Sequence, residues 1–301
     1  MAGRRARSAR PTRARSQHFL RTGALAAELV RDACVGPDDL VVDLGAGTGR
    51  LTAELARAAR RVVAVELDPS LAAALQDRWP NVDVVVGDAT RVPLPREPFR
   101  VVANVPFDRT TALLRRLLDD PRTPLVRADL VVAWGVVQKR VLPWPSTLNG
   151  VLWGAWYETS VSRRLPRSAF DPPPSVDAGV LIYARRAVPL IPEREWRRYR
   201  GFVATGFRRG LRAVAPTRTL RRLGVAGAAP RELDAYQWAT LYSNITGPRM
   251  AAPNERSGAG ATGAAFPAAA PRGGSIVKSI PQRATVTTET GPPRGSLLPK
   301  G

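Results

Sequence analysis

The chain has 301 residues, enough for one large domain and a smaller one, and its 44% hydrophobic content supports an ordinary core. Its formal net charge of +21 calls for a polyanionic partner, nucleic acid first and an anionic membrane surface second. The single cysteine, Cys34, excludes an intrachain disulfide and a cysteine-built metal site, and no stretch has the length needed to span a membrane.

Residues 1–15 carry six Arg and no acid, and read as a disordered basic arm. They are not followed by an apolar signal core, so a cytoplasmic protein is expected. A helix is expected over Thr22–Cys34, capped by Thr22, with Cys34 as a small buried hydrophobe. The apolar run Leu40-Val41-Val42, ending at Asp43, is a buried strand. A Gly-rich turn and a helix over Arg50–Ala58 follow. The alternation continues with strand Arg61–Val65, helix Pro69–Arg78, strand Val82–Val86, strand Val101–Ala103, helix Arg109–Leu118 and strand Leu130–Ala133. Strands separated by helices predict a parallel sheet with right-handed crossovers. Two further strands, Trp156–Val161 and Val176–Tyr183, flank a Pro-rich loop and can pair antiparallel. Beyond Pro192, segments 193–210, 217–223 and 230–243 read as helices of a small all-α domain, assigned to 191–247. Residues 248–301 are rich in Gly, Ala, Pro, Ser and Thr without apolar period and read as a disordered tail. The catalytic domain would then span 16–190. The two tails hold +11 of the net charge and the part between them +10. The tails are equally readable as solvated disorder or as grips on a polyanion.

The sharpest local motif is Asp43-Leu44-Gly45-Ala46-Gly47-Thr48-Gly49, at a strand-to-helix junction. Alternate glycines let the backbone approach a ligand closely. A dinucleotide phosphate loop would need glycine where Arg50 stands. A carboxylate at Glu66, followed by Leu67, can accept from two ribose hydroxyls, although dinucleotide sites use the same feature. Asp88, in Gly87-Asp88-Ala89, can accept from an adenine amino group. Either acid is also readable as a solvated strand end, but the three features together converge on the crevice at the carboxyl edge of the sheet.

The next strand ends in Asn104-Val105-Pro106-Phe107. The lone pair of an adenine N6 is delocalised into the ring, so the nitrogen is a poor nucleophile. Two acceptors holding its protons would free that lone pair. The Asn104 side-chain carbonyl and the Val105 main-chain carbonyl supply them, Pro106 restricts the backbone between, and Phe107 gives a face for an extruded base. Methyl transfer from a sulfonium needs alignment above all, so neither a metal nor a strong general base is required.

These residues together resemble the ribosomal RNA adenine N6-methyltransferase family, which includes the Erm enzymes and the KsgA/Dim1 dimethyltransferases. The resemblance covers roughly residues 14–247. Ser16-Gln17-His18-Phe19-Leu20 is similar to the family segment over the methionine end of S-adenosylmethionine. The resemblance implies a Rossmann-like methyltransferase fold with a mostly parallel seven-stranded sheet and a small all-α C-terminal domain. It also implies S-adenosylmethionine as cofactor, held by Gln17, His18, Leu20, Gly45, Ala46, Gly47, Glu66, Leu67, Asp88, Ala89 and Asn104. The loop Leu165–Pro174 looks like the family loop that carries an aromatic, which makes Phe170 the second wall of a base clamp opposite Phe107.

Within the family, Leu152–Glu158, Gln237–Tyr242 and the Arg-rich ends are similar to actinobacterial Erm enzymes. That branch implies one or two methyls on an adenine of protein-free or early-precursor large-subunit RNA, with macrolide, lincosamide and streptogramin B resistance, by a monomer that needs no membrane. The alternatives are a KsgA-type enzyme acting on small-subunit RNA, a noncatalytic RNA-binding relative, and a DNA adenine methyltransferase. Phosphate contacts are expected from Arg109, Arg115 and Arg116, from Arg163, Arg164 and Arg167, and from Arg208, Arg209 and Arg212. Each of these is also readable as ordinary solvated surface, and the groups after the catalytic turn and before Phe170 rank highest because they must lie near the active crevice.

Overall fold

A computed structural model describes residues 17–141 and 146–247; the expected arm and tail lie outside them. Seven strands form one sheet: β2 (Leu40–Leu44), β3 (Arg61–Glu66), β4 (Val82–Val86), β5 (Phe99–Asn104), β6 (Leu125–Ala133), β7 (Tyr157–Leu165) and β9 (Ala178–Arg185), in the spatial order β4-β3-β2-β5-β6-β9-β7. The first five are parallel, and β9 runs antiparallel to both β6 and β7. The strand order reverses between β2 and β5. A crevice therefore opens where Gly45 and Asn104 leave the sheet. The mostly parallel α/β class and the antiparallel pairing of the last two strands agree with the sequence reading.

Alternation along the strands divides the apolar residues between two faces. Val41, Val62, Val102, Val131 and Val180 lie under α1 (Gly23–Asp32) and α2 (Arg50–Ala58). Val42, Val101, Leu130, Val132 and Leu181 share the larger core cluster with α4 (Thr110–Leu118). Two helices in this half were not legible from sequence. They are α5 (Trp134–Val141), which starts directly where β6 ends, and α6 (Leu148–Gly154). The helix α3 (Pro69–Leu75) stops before Arg78 because Gln76 turns extended and Asp77 takes a left-handed φ of 57°.

The C-terminal helices α7 (Trp196–Arg209), α8 (Thr217–Arg222) and α9 (Ala235–Thr246) add Tyr199, Leu220, Trp238 and Tyr242 to the same core cluster that holds Trp153 and Tyr183. The Cys34 expectation is corrected. Helix α1 ends at Asp32, and Cys34 adopts φ 53° just beyond it, with its N–H donating to Arg31 O, so the thiol is exposed. The left-handed turn that ends the helix carries the side chain away from the apolar face.

A second, two-stranded sheet joins β1 (Phe19–Leu20) to β8 (Phe170–Asp171) antiparallel, with Leu20 opposite Phe170. Arg21 reinforces it, donating from its backbone N–H to Ala169 O and from Nη2 to Phe170 O. This clasp brings the N-terminal segment onto the crevice.

Candidate active site

The glycine loop takes left-handed backbone at all three of its glycines, with φ of 89° at Gly45, 56° at Gly47 and 77° at Gly49. Gly45 lies against the catalytic turn, since a Cβ there would sit 3.4 Å from Pro106 Cδ. Gly47 lies against the clasp, where a Cβ would stand 2.6 Å from the Phe19 ring. Gly47→Ala therefore combines backbone strain with a steric clash. It is expected to weaken S-adenosylmethionine binding ~10-fold or more, from about 1–3 kcal/mol of strain, as read by calorimetric titration.

The carboxylate of Glu66 is 4% exposed and already engaged. Its Oε2 accepts from Gly47 N at 2.7 Å, and its Oε1 accepts from Leu67 N at 2.8 Å and Asp68 N at 2.9 Å. A carboxylate has roughly four acceptor positions, so one is left, where the sequence reading had two for ribose. Leu67 contributes its amide to this network and keeps its side chain exposed. Gly45 and Ala46 also spend their amides internally, both on Val65 O. On the neighbouring strand end, Asp88 Oδ1 accepts from Thr90 N at 2.9 Å and Thr90 Oγ1 at 2.7 Å. Those two bonds hold its carboxyl below the usual range, with Arg109 and Arg91 adding to the effect. Oδ2 accepts nothing from the described residues, which leaves a charged acceptor for an adenine amino group. Ala89, beside it, is half-buried against the core.

Asn104 is the last residue of β5. Its Nδ2 donates to the backbone carbonyl of His18 at 2.7 Å. A carbonyl only accepts, so the amide orientation is fixed and Oδ1 is the end left for a substrate. Val105 is buried, its N–H donates to Val131 O at 3.1 Å, and its own carbonyl meets no donor among the described residues. Phe107 is half-buried, and Thr110 Oγ1 donates to its carbonyl at 3.1 Å as α4 begins. His18 stands 5.7 Å from the Phe107 ring, and its Nδ1–H donates to Pro172 O at 2.9 Å. Gln17 is half-buried at the start of the described chain, and Leu20 is buried with its carbonyl accepting from Arg50 Nη1. The buried Leu20 side chain packs in the core cluster.

Phe170 needs correction. Its side chain is fully buried in the core and meets Phe107 edge-on, with centroids 6.3 Å apart and planes at 79°. The two rings do not face each other, so Phe170 offers no parallel second wall. The clasp with Leu20 pulls Phe170 inward, so it props Phe107 from behind. Phe170→Leu is accordingly expected to cost about 1 kcal/mol of stability in urea unfolding while leaving kcat within a factor of about two. A clamp residue would show the opposite balance.

The arginines divide by partner. Arg163 is taken up by Glu28, at 2.6 Å, and by Asp32, so it ties β7 to α1 and is a poor phosphate ligand. Arg164 pairs with Asp177, whose other carboxylate oxygen accepts the Arg167 N–H. Arg116 Nη2 donates to Val92 O, and Arg109 lies 3.8 Å from Asp108. Arg115, Arg208, Arg209 and Arg212 are exposed, with no ion-pair partner among the described residues.

A family model described as "Ribosomal RNA adenine dimethylase" matches residues 11–223. The chain belongs to the ribosomal RNA adenine dimethylase family. It is an S-adenosylmethionine-dependent rRNA adenine N6-methyltransferase. Among its relatives, the mycinamicin-resistance protein MyrB of Micromonospora griseorubida is 40% identical over 229 residues, 72% of each chain. The ribosomal RNA small subunit methyltransferase A of a Synechococcus strain is 32% identical over 271 residues, 80% of this chain and 96% of that one. The crystal structure of the 23S rRNA methyltransferase ErmE superposes with a TM-score of 0.67 at 29% identity, covering 75% of this chain and 99% of that one.

The residues present fit the family cofactor. A left-handed glycine loop, one free acceptor position on Glu66 and a charged oxygen on Asp88 follow one another along the crevice to Asn104. When bound, S-adenosylmethionine supplies an electrophilic methyl group. Asn104 Oδ1 and the Val105 carbonyl accept from no donor among the described residues, so both would be free to accept hydrogen bonds from the two N6 protons of an adenine placed beside Phe107. Among the described residues no helix is long and apolar enough to cross a membrane.

Proposed function

We propose that the family chemistry is directed here at an adenine of large-subunit ribosomal RNA, in its protein-free or early-precursor form, at the macrolide-binding wall of the exit tunnel. Such methylation removes a contact surface from macrolides, lincosamides and streptogramin B. The observation that carries this choice of branch is the similarity to MyrB, a resistance protein by name, over 72% of both chains. Likeness to ErmE, a 23S rRNA enzyme, supports it. The nearly full-length match to a small subunit methyltransferase A favours the second reading, KsgA-type dimethylation of small-subunit RNA.

The deciding measurement is tritium transfer from labelled S-adenosylmethionine into protein-free large-subunit RNA and, in parallel, into assembled small subunits. Mass spectrometry then locates the modified base. Label in large-subunit RNA alone, with raised macrolide tolerance in cells making the protein, is the expected result. Label only in small subunits assigns the second reading. Monomeric behaviour in a cytoplasmic setting belongs to the same proposal, and sedimentation of the purified protein tests the first part.

A further inference from the structure

Trp134 is the residue with which β6 turns into α5, and its position is built from both sides. Its backbone N–H donates to Asp177 O at 2.8 Å. Its ring presses on the backbone of Gly179, where a Cβ would stand only 2.8 Å from Cε3 and 2.9 Å from Cζ3. On the ring lies the Arg164 guanidinium, with Cζ 4.9 Å from the centroid. Asp177 grips the same guanidinium, with Oδ2 accepting from Nε at 3.0 Å and Nη2 at 2.8 Å. Asp177 is itself fixed by the Arg167 N–H at 3.1 Å. The Trp134 ring is thus in contact with both the Gly179 backbone and the Arg164 guanidinium. The Arg164 side chain nevertheless stays 53% exposed.

This cluster stands on the same edge of the sheet as the crevice. Strand β7 runs parallel to β6, so Arg164, near the end of β7, is at the carboxyl edge. In register, Arg164 lies opposite Gly179, Gly179 opposite Val132, and Asn104 opposite Val131. Three strand spacings separate Arg164 from Asn104, about 14 Å, a distance that a short run of extended single strand covers.

We propose that Arg164 is a stacking platform, its guanidinium held between Trp134 and Asp177 so that its outer face receives an unpaired base of the RNA strand that carries the target adenine. The proposal rests on the rRNA methyltransferase reading and deepens it. A guanidinium plane is a good stacking partner for splayed-out bases. It is a poor phosphate anchor here, because Asp177 offsets its charge and occupies two of its donor nitrogens. The burden of phosphate contact falls on Arg115, Arg208, Arg209 and Arg212, which have no ion-pair partner among the described residues.

Arg164→Lys separates the two roles, because lysine keeps the charge and the pairing with Asp177 but has no plane. With an RNA hairpin containing the target, Arg164→Lys and Arg164→Ala are both expected to raise KM ~10-fold. In both, kcat, S-adenosylmethionine affinity and melting temperature should stay at wild-type values. Arg164→Lys should also keep the wild-type salt dependence. Replacing flanking nucleotides one at a time by abasic sites should identify one position that costs wild type the same ~10-fold and costs Arg164→Lys nothing further. Wild-type behaviour of Arg164→Lys, or additive losses at every abasic position, would overturn the platform. If the wild-type protein transfers no methyl to RNA, the parent reading fails instead. Filter-binding affinities of the same variants and abasic hairpins then decide the platform by the same two comparisons.

Discussion

Asn104→Ala is expected to lower kcat for RNA methylation by ~10³-fold, the scale set by removing a single preorganised polar contact to a reacting group. Affinity for S-adenosylmethionine should fall no more than ~3-fold, because Gly47, Glu66 and Asp88 keep their geometry and a difference of that size is under 1 kcal/mol. The split follows from where the Asn104 amide points. His18 O takes its N–H, which leaves Oδ1 without a donor among the described residues and open to a substrate amino group. Asn104→Asp offers a sharper comparison. The carboxylate can still accept from N6 but cannot donate to His18 O, and two acceptors would face each other at a separation of 2.7 Å in the present geometry. The N-terminal segment should then lift from the crevice. If turnover depends on this contact, Asn104→Asp loses activity although it retains an oxygen acceptor, and rapid-quench single-turnover rates show the loss in the methyl-transfer step. Retained single-turnover rates in both variants would remove Asn104 from the chemistry and shift the weight to the Val105 carbonyl.

The contrast between local and distant contacts explains how much of this was legible in the sequence. The βα alternation is a local signal, and helix Arg50–Ala58 and strand Val82–Val86 emerge with the bounds expected from their apolar period. The Gly45–Gly49 loop, Glu66, Asp88 and Asn104 were also legible, because each is a strand end, and parallel strands deliver their carboxyl ends to one edge. What was not legible depends on partners far away in the chain. Phe170 reads as a loop aromatic until Leu20, opposite it in the small sheet, draws it into the core. Arg163 reads as a phosphate ligand until Glu28 and Asp32 appear beside it. The orientation of the Asn104 amide is set by a carbonyl 86 residues earlier. Trp134 does carry a local signal, a large aromatic at a strand end ahead of a helix with Lys139 and Arg140 in its last turn.

The second large effect concerns stability and its dependence on pH. Asp43 is 1% exposed beneath the glycine loop, and burial pushes its carboxyl up to about 7. The hydrogen bond from Thr52 Oγ1, at 2.7 Å, opposes that rise and nearby Glu66 adds to it. In the unfolded chain the group titrates near its ordinary value of 3.8. The folded state therefore binds the proton more tightly. Below about pH 3 both states are protonated and the group is neutral in its effect. Between there and about pH 7 the unfolded state alone ionises, so stability falls as pH rises. Above about pH 7 the loss is complete, on the order of 4 kcal/mol. An amide in place of this carboxyl would not titrate, yet its carbonyl can still accept from Thr52. Asp43→Asn is thus expected to match wild type in urea unfolding near pH 3 and to exceed it progressively up to about pH 7. Taking the difference between the two proteins cancels the other titrating groups they share. A pH-independent difference would mean that Asp43 stays ionised in the fold. The carboxylate would then be a fixed charge under the loop, and Gly45 and Gly47 would bind S-adenosylmethionine over a negative floor instead of a neutral one.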